Sequence, residues 1–324
     1  MSNESTKRSP WWLFPNLLSI DAPLVAVLWM WLLAKSMRVV YMDTHSYWLL
    51  AGAIWCVYVT DRIWDVRRFC HKGEGKVEEM STRHQFHWKF RMFLLPLVLV
   101  VAGYGIYTAF NVASAALLTA GIAGIGLCLL YALVRVFDDS EIAYVKNFLA
   151  GITFAFGVSA PIVVESTPLQ MGIVDIWYHF SAASDVGFTE ALKHGVANFF
   201  SLTFYTVIDV FKISILPFLF GLLCFLNITG IDLWEASRRS EDEDDKEAYE
   251  AVFATLSLVL VAFTVYLAAY KLVEFERPTC YIVMVVTALL YFINKKRSLL
   301  YLDAQRVLAD FAMILPIPLW YLLS

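Results

Sequence analysis

Long apolar runs with few charges recur from one end of the chain to the other, and they restrict its fold more than any other feature. A run of about 20 apolar residues is the length that an α-helix needs to cross the hydrocarbon core of a bilayer. These runs lack the alternation of a barrel strand, and lipid requires each backbone polar group to be paired within the protein. The sequence therefore predicts an all-α polytopic membrane protein. We expect about nine transmembrane helices, at residues 22–41, 45–61, 92–110, 112–134, 147–165, 213–231, 251–273, 278–294 and 305–323.

The composition agrees with this class of protein. Hydrophobic residues make up 60% of the chain and charged residues 17%, and the mean hydropathy is +0.63. Ordinary soluble domains have more charge and fewer apolar residues. We therefore expect a single transmembrane domain over residues 1–324, surrounded by the lipid bilayer and without a nucleic acid partner. The five cysteines are scattered along the chain and predict no disulfide framework.

The basic residues predict the orientation in the membrane. The N-terminal tail and the connections after the second, fourth, sixth and eighth runs contain most of the 25 Lys and Arg residues. Because basic residues are enriched in cytoplasmic connections, we expect the N-terminus in the cytoplasm and the C-terminus on the opposite side, in a bacterial-type cytoplasmic membrane. Residues 1–10 are polar and are followed by Trp11 and Trp12, which is typical of an interfacial anchor. We expect no cleaved signal peptide.

Two polar connections, after the second and sixth apolar runs, carry acidic residues at a helix end and are the candidate functional segments. Asp61 and Asp65 begin the first; they are four residues apart and share one face of a helix. Asp232 and Glu235 begin the second. If the two segments face one another, their four carboxylates can hold Mg²⁺. This hard cation prefers oxygen ligands and binds between protein acids and substrate phosphates.

Each segment also has a simpler interpretation. In the first, at residues 62–91, Arg62 or Arg68 can neutralise the acids in ordinary salt bridges. In the second, at residues 232–250, the acids can form a solvated cap of the helix. In the metal-binding interpretation, Arg62 and Arg68 would instead bind phosphate oxygens of a substrate, as arginine often does.

The first segment resembles a motif of the UbiA superfamily of intramembrane prenyltransferases. Members of this family have nine helices and two Asp-rich motifs, which follow helices two and six. The first family motif reads Asn-Asp-x-x-Asp-x-x-x-Asp, often with Arg after the middle aspartate. Asp61 and Asp65 match its last two aspartates and Arg62 matches the arginine, while Tyr58 stands where the leading aspartate is expected.

Other parts of the chain resemble the same family. Asp232 matches the first position of its second motif, Asp-x-x-x-Asp, and Glu235 precedes the second position by one residue. Tyr131 and Arg135 are similar to a Tyr-x-x-x-Lys element after helix four, although the same two residues can anchor a helix at the interface. Lys146, with the asparagine after it, is similar to the start of helix five.

This resemblance implies a UbiA-like bundle with a central cavity open to the cytoplasmic side. It implies a prenyltransferase that moves a polyprenyl group from its diphosphate to an aromatic or lipid-like hydrophobic acceptor, with Mg²⁺ as cofactor. It implies that catalysis and metal binding belong to Asp61, Asp65, Asp232 and Glu235. It implies that substrate binding belongs to Arg62, Arg68, Tyr131, Arg135, Lys146 and Asn227.

A zinc site is a further possibility in the first segment. Cys70, His71, His84 and His87 are residue types that zinc binds, although their spacing matches no zinc finger.

Two other functions use the same fold or the same polar residues. One is a non-catalytic membrane protein that binds an isoprenoid or lipid in the same cavity. The other is a small-molecule transporter that uses Arg306 and Asp310, two ionisable residues four positions apart near the start of the last span. In the simpler interpretation, Arg306 and Asp310 are a structural pair that fixes this helix against its neighbours; in the alternative, Asp310 reaches toward the polar end of the bundle.

Overall fold

A computed structural model describes residues 11–71, 73, 75–77, 80–137, 142–166, 201 and 203–323. The predicted N-terminal tail, residues 1–10, lies outside these ranges. The described ranges contain helices and no strand, which confirms the all-α fold class. The helices are α1 (Phe14–Leu17), α2 (Asp21–Ser36), α3 (Thr44–His71), α4 (Thr82–Lys89), α5 (Arg91–Val112), α6 (Ala115–Phe137), α7 (Tyr144–Ser166), α8 (Leu216–Arg239), α9 (Glu243–Tyr270), α10 (Arg277–Lys295), α11 (Leu302–Ile314) and α12 (Pro316–Leu323). Residues 203–213 are also helical, and short 3-10 helices cover Trp11–Leu13 and Arg297–Leu299.

Six helices of the described chain, α5 to α10, are long and apolar enough to cross a membrane. This supports a multi-pass helical membrane protein, but it is fewer than the nine spans that the sequence predicts. With 16 residues, α2 is short for a span, and α3 is long but too polar along its length. The predicted span at 305–323 is divided between α11 and α12, which meet next to Pro316.

Both candidate segments are more helical than predicted. Helix α3 continues through residues 62–71, and α4 lies within the remainder of the predicted 62–91 connection. Helix α8 continues to Arg239 and α9 begins at Glu243, so residues 240–242 are the part of the predicted 232–250 connection outside helices. Asp232 and Glu235 therefore lie on a helix. Although the apolar run has ended there, the polar side chains of both residues have partners on neighbouring helices.

The core lies among α2, α7, α8, α10 and α11. Trp29 of α2 is fully buried, stacks on Phe220 of α8 with ring centroids 4.4 Å apart, and donates to the Met313 carbonyl of α11 at 3.0 Å. Helices α7 and α8 are at the centre of the packing: in the most apolar 18-residue stretch of each, 61% is buried, against 17% in that of α5. The two central helices therefore position the polar residues at their ends, while α5 presents most of its surface to lipid.

A cavity of about 310 Å³ opens between α9 and α10 and is lined by Val265, Ala268, Ala269, Arg277, Tyr281 and Met284. It lies near the first residues of α10, whereas Asn294, near the last, contacts Trp234 of α8. This cavity is therefore distant from the predicted acids, and the central cavity of the UbiA-like bundle stays a prediction.

Candidate functional site

Polar side chains from six helices meet at one end of the bundle. We call the following residues the polar cluster: Asp61 and Asp65 of α3, Arg83 and His84 of α4, Arg135 of α6, Asn147 of α7, Asp232 and Glu235 of α8, and Arg306 of α11.

The first acidic pair is joined by one arginine. Arg135, at the end of α6, donates one guanidinium nitrogen to Asp61 and the other to Asp65. The i, i+4 spacing on α3 matches the width of the planar guanidinium fork, which is why one side chain can bind both acids. Among the described residues, the partner of both acids is therefore Arg135 rather than the expected Arg62 or Arg68. Arg68 donates to the Arg135 backbone carbonyl at 3.1 Å.

Arg62 has a structural position. It is buried, and it donates to the Asn16 carbonyl and to the Ser19 hydroxyl, each at 2.8 Å. Ser19 has a φ of 55°, in the left-handed region, at the turn between α1 and α2. Arg62 thus attaches α3 to this turn, and its predicted contact with a substrate phosphate stays a prediction.

Asp232 lies against the start of α7. It accepts a hydrogen bond of 2.8 Å from the Asn147 side-chain amide, and it is within electrostatic range of Lys146 and Arg83. Asn147 is fully buried, and its amide oxygen has no hydrogen-bond partner among the described residues. A buried acceptor without a donor costs about 1–3 kcal/mol, so this oxygen marks a place where a cation or a donor from a ligand would be stabilising.

The last acid, Glu235, pairs with Arg306 of α11, which also binds Asp303 at 3.0 Å. The expectation that Arg306 pairs with Asp310 is therefore wrong. Asp310 instead lies beside the Asn16 amide at 3.4 Å. The i, i+4 spacing places Arg306 and Asp310 on one helix face, but Arg306 pairs with Glu235, which lies on the neighbouring helix α8.

Helix α4 joins the two acidic segments. His84 Nε2 lies 3.6 Å from Asp65, and Arg83 lies within electrostatic range of Glu235 and Asp310. Burial, with Arg83 and Arg62 nearby, lowers the pKa of His84 to about 3. His84 is therefore neutral near pH 7, and its approach to Asp65 is a polar contact rather than an ion pair, since burial and the arginines outweigh the one carboxylate.

The zinc alternative gains no support from the described residues. His84 Nδ1 is 2.7 Å from the Ser81 hydroxyl, and His87 is bound to Ser19 and to the Arg83 carbonyl. In the ranges that the structure describes, no group of three or more Cys, His, Asp or Glu side chains lies close enough to hold a metal ion.

The same observation bears on Mg²⁺. The donor type fits, because carboxylate oxygens and the unpartnered Asn147 oxygen are ligands that Mg²⁺ prefers. However, Asp61 and Asp65 are bound to Arg135, and Glu235 is bound to Arg306. Mg²⁺ would have to compete with these arginines, so a Mg²⁺ site at the four acids stays a prediction.

The remaining predicted residues are Tyr131 of α6 and Asn227 of α8. Tyr131, one turn before Arg135 on α6, is within electrostatic range of both Asp61 and Asp232. Asn227 is on α8, and its buried amide oxygen has no partner among the described residues. The role of both residues in substrate binding stays a prediction.

Some residues of this region carry no clear signal in the sequence. Arg83 is one basic residue among many in a charged segment, and Asn16 and Asp21 precede a predicted span like any interfacial residues. In the structure the Asn16 amide donates to Asp21 at 2.6 Å. The sequence shows only that these polar residues lie close to apolar runs, and it does not indicate which side chains they contact.

No protein-family model, no curated protein and no solved structure matches this chain. The resemblance to the UbiA superfamily therefore depends on the residues of the partial motifs.

Proposed function

We propose that this chain is a membrane prenyltransferase that moves a polyprenyl group from its diphosphate to an aromatic or lipid-like acceptor. The observation that carries the proposal is the meeting of both acidic segments with basic residues from the ends of α6 and α7 in one polar cluster. These segments are more than 160 positions apart in the chain, from Asp65 to Asp232, so local structure alone does not bring them together.

The proposed reaction breaks the carbon–oxygen bond to the diphosphate, which leaves with the bonding electrons. The allylic carbon then forms a bond to the acceptor, which loses a proton. Positive groups around the leaving diphosphate stabilise the charge that develops on it. Arg135 and Lys146 are suited to this role, and apolar helices that exclude water protect the allylic cation.

Mg²⁺ is part of the proposal. When bound, it would neutralise charge on the diphosphate. Asp61, Asp65, Asp232 and Glu235 would hold it, with the Asn147 oxygen available beside Asp232. Arg135 and Arg306 would then be released from their acids and could bind phosphate oxygens.

The test measures binding of a radiolabelled polyprenyl diphosphate to the purified protein, with and without Mg²⁺. The expected result is Mg²⁺-dependent binding that falls at least about tenfold in Asp65→Asn, the ratio that a loss of about 1.4 kcal/mol produces. Asp244→Asn is the matched control, since Asp244 is an exposed acid in the first turn of α9.

A thermal unfolding midpoint for each variant separates loss of binding from loss of folding, because Asp65→Asn also removes a partner of Arg135. Unchanged Mg²⁺-dependent binding in a folded Asp65→Asn would contradict the metal site. Product formation is then tested with hydroxylated aromatic acceptors. Mg²⁺-dependent binding without any product would favour the non-catalytic isoprenoid-binding alternative.

A further inference from the structure

The arginines of this region differ in whether their guanidinium groups have hydrogen-bond or ion-pair partners among the described residues. Arg135 binds Asp61 and Asp65, and Arg306 binds Glu235 and Asp303. Arg62 donates to a backbone carbonyl and a hydroxyl. Each of these three guanidinium groups therefore has acceptors within the protein.

Arg83 is the exception. Its Nε is buried without a hydrogen-bond partner, and no ion pair or hydrogen bond to its guanidinium is found within the described part of the chain. The side chain is partly buried, and it lies within electrostatic range of two cations, Arg62 and Arg306, and of two acids, Glu235 and Asp310. Burial, together with these two arginines, lowers the pKa of Arg83 to about 10, so it remains charged at neutral pH.

An anion would stabilise this partly buried cation, because burial removes part of the hydration of its charge. The nearby acids do not supply that anion. Glu235 is bound to Arg306 and Asp232 is bound to the Asn147 amide. Asp310 also lies within electrostatic range of Arg83, but it accepts a hydrogen bond from the Asn16 amide. These acids therefore have other partners among the described residues, and the Arg83 guanidinium is left to bind an anion from a ligand.

Two cations flank Asp232. Lys146 on α7 and Arg83 on α4 both lie within its electrostatic range. They come from different helices, so they approach Asp232 from different elements of the bundle. A ligand with two linked phosphate groups can meet two separate cations, and arginine binds phosphate oxygens through two parallel hydrogen bonds.

We propose that Arg83 is a binding residue for a phosphate group of a diphosphate ligand, at a site that it forms together with Lys146. This rests on the proposed function, and it adds to that function a cation that lies outside the predicted motifs. The shared chemistry is a phosphate oxyanion, which a prenyl diphosphate or the headgroup of a bilayer phospholipid can supply.

The test uses inorganic pyrophosphate as the probe, with the full chain in nanodiscs of neutral lipid and with affinity measured by calorimetry, both with and without Mg²⁺. Arg83→Gln is expected to weaken pyrophosphate binding at least about tenfold. Arg83→Lys keeps the charge but not the planar fork, so an intermediate affinity is expected. Arg67→Gln is the control, because Arg67 is exposed on α3 and contacts the Trp64 ring.

Pyrophosphate affinity in Arg83→Gln equal to that of the unaltered chain and of Arg67→Gln would overturn the assignment, as would an unaltered chain that does not bind pyrophosphate. If Arg83→Gln does not fold, the pyrophosphate affinity of Arg83→Lys is the test. An affinity equal to that of the unaltered chain would then contradict the assignment.

A second set of nanodiscs, made with anionic phospholipid, distinguishes the two sources of phosphate. If anionic lipid weakens pyrophosphate binding only when Arg83 is present, the phospholipid headgroup is the occupant and the diphosphate assignment is overturned. Equal affinity in both lipids supports it.

Prenyl transfer is measured separately on the same samples. If both prenyl transfer and pyrophosphate affinity are unchanged in Arg83→Gln, the role assigned to Arg83 is wrong and the proposed function is unaffected. Pyrophosphate binding that depends on Arg83, without transfer to any acceptor, would support the Arg83 site and count against the transferase.

Discussion

At the scale of single residues, the polar cluster is stabilised by charges and hydrogen bonds that cross between helices. His87 shows how specific these contacts are. The Arg83 carbonyl, 2.7 Å away, can only accept, so His87 Nδ1 carries the proton. His87 Nε2 then accepts from the Ser19 hydroxyl at 3.0 Å, and that hydroxyl accepts from Arg62. A neutral imidazole completes this chain of hydrogen bonds.

A prediction follows for the pH dependence of stability. Burial, with Arg62 and His84 nearby, lowers the pKa of His87 from 6.5 to about 4. Between these values the unfolded chain binds a proton that the folded protein does not. Stability that is present above pH 6.5 is therefore lost as the pH falls toward 4, at about 1.4 kcal/mol per pH unit.

The measurement is the unfolding midpoint in detergent at pH 7 and pH 5. His87→Gln is expected to reduce the difference between the two midpoints, since Gln does not titrate. Some pH dependence should remain, because the pKa of His84 is lowered in the same direction. His45→Gln is the control, because the His45 side chain is 52% exposed. An equal pH dependence in His87→Gln and in the unaltered chain would show that His87 is not held neutral.

At the scale of elements, the contact between α7 and α8 positions Asn147 against Asp232. The helices approach closely at Gly151. A Cβ at this position would lie 2.6 Å from the Gly221 carbonyl oxygen and 2.9 Å from the Phe225 backbone nitrogen. Both are backbone atoms, which cannot rotate away, so the missing side chain of Gly151 permits this helix pair to pack.

Gly151→Ala is therefore expected to destabilise the protein by about 1–3 kcal/mol, the usual cost of overpacking. It should also weaken diphosphate binding, because separating α7 from α8 moves Asn147 away from Asp232. The unfolding midpoint and the binding assay measure the two effects.

Gly103→Ala on α5 is the matched control. A Cβ at Gly103 meets no atom within 4 Å, and Ala favours a helix by about 1 kcal/mol over Gly. The two substitutions should therefore shift the midpoint in opposite directions. A midpoint of Gly151→Ala at or above that of the unaltered chain would show that the two helices separate without cost.

At the scale of the whole molecule, the polar cluster lies at one end of an apolar bundle, and the proposed orientation places that end in the cytoplasm. Cys70 provides a reporter. It is exposed at the end of α3, whereas Cys224 and Cys280 are buried and Cys56 and Cys128 are partly buried within helices.

A membrane-impermeant maleimide should label the protein in inside-out vesicles and not in intact cells, with labelling lost in Cys70→Ser. Labelling of Cys70 in intact cells would reverse the orientation. A second outcome that would contradict the prediction is equal labelling of the unaltered chain and of Cys70→Ser in inside-out vesicles.

The sequence by itself determined that this chain is helical, that its helices are apolar enough for a membrane, and that its acids lie at the ends of apolar runs. These properties depend on composition and on spacing along one chain segment, since an apolar run of a given length and an i, i+4 pair have the same meaning in any context. The described residues contain six candidate spans, fewer than the nine predicted, because hydropathy does not show that α2 ends early or that the last run divides at Pro316.

Only the tertiary structure decided which charges meet. Asp61 and Asp65 pair with Arg135 rather than with their sequence neighbours, and Arg306 pairs with Glu235 rather than with Asp310. The Arg83 Nε has no hydrogen-bond partner among the described residues. The physical reason is that the rotation and separation of two helices are set by packing between them, as at Gly151, and not by the sequence of either helix alone.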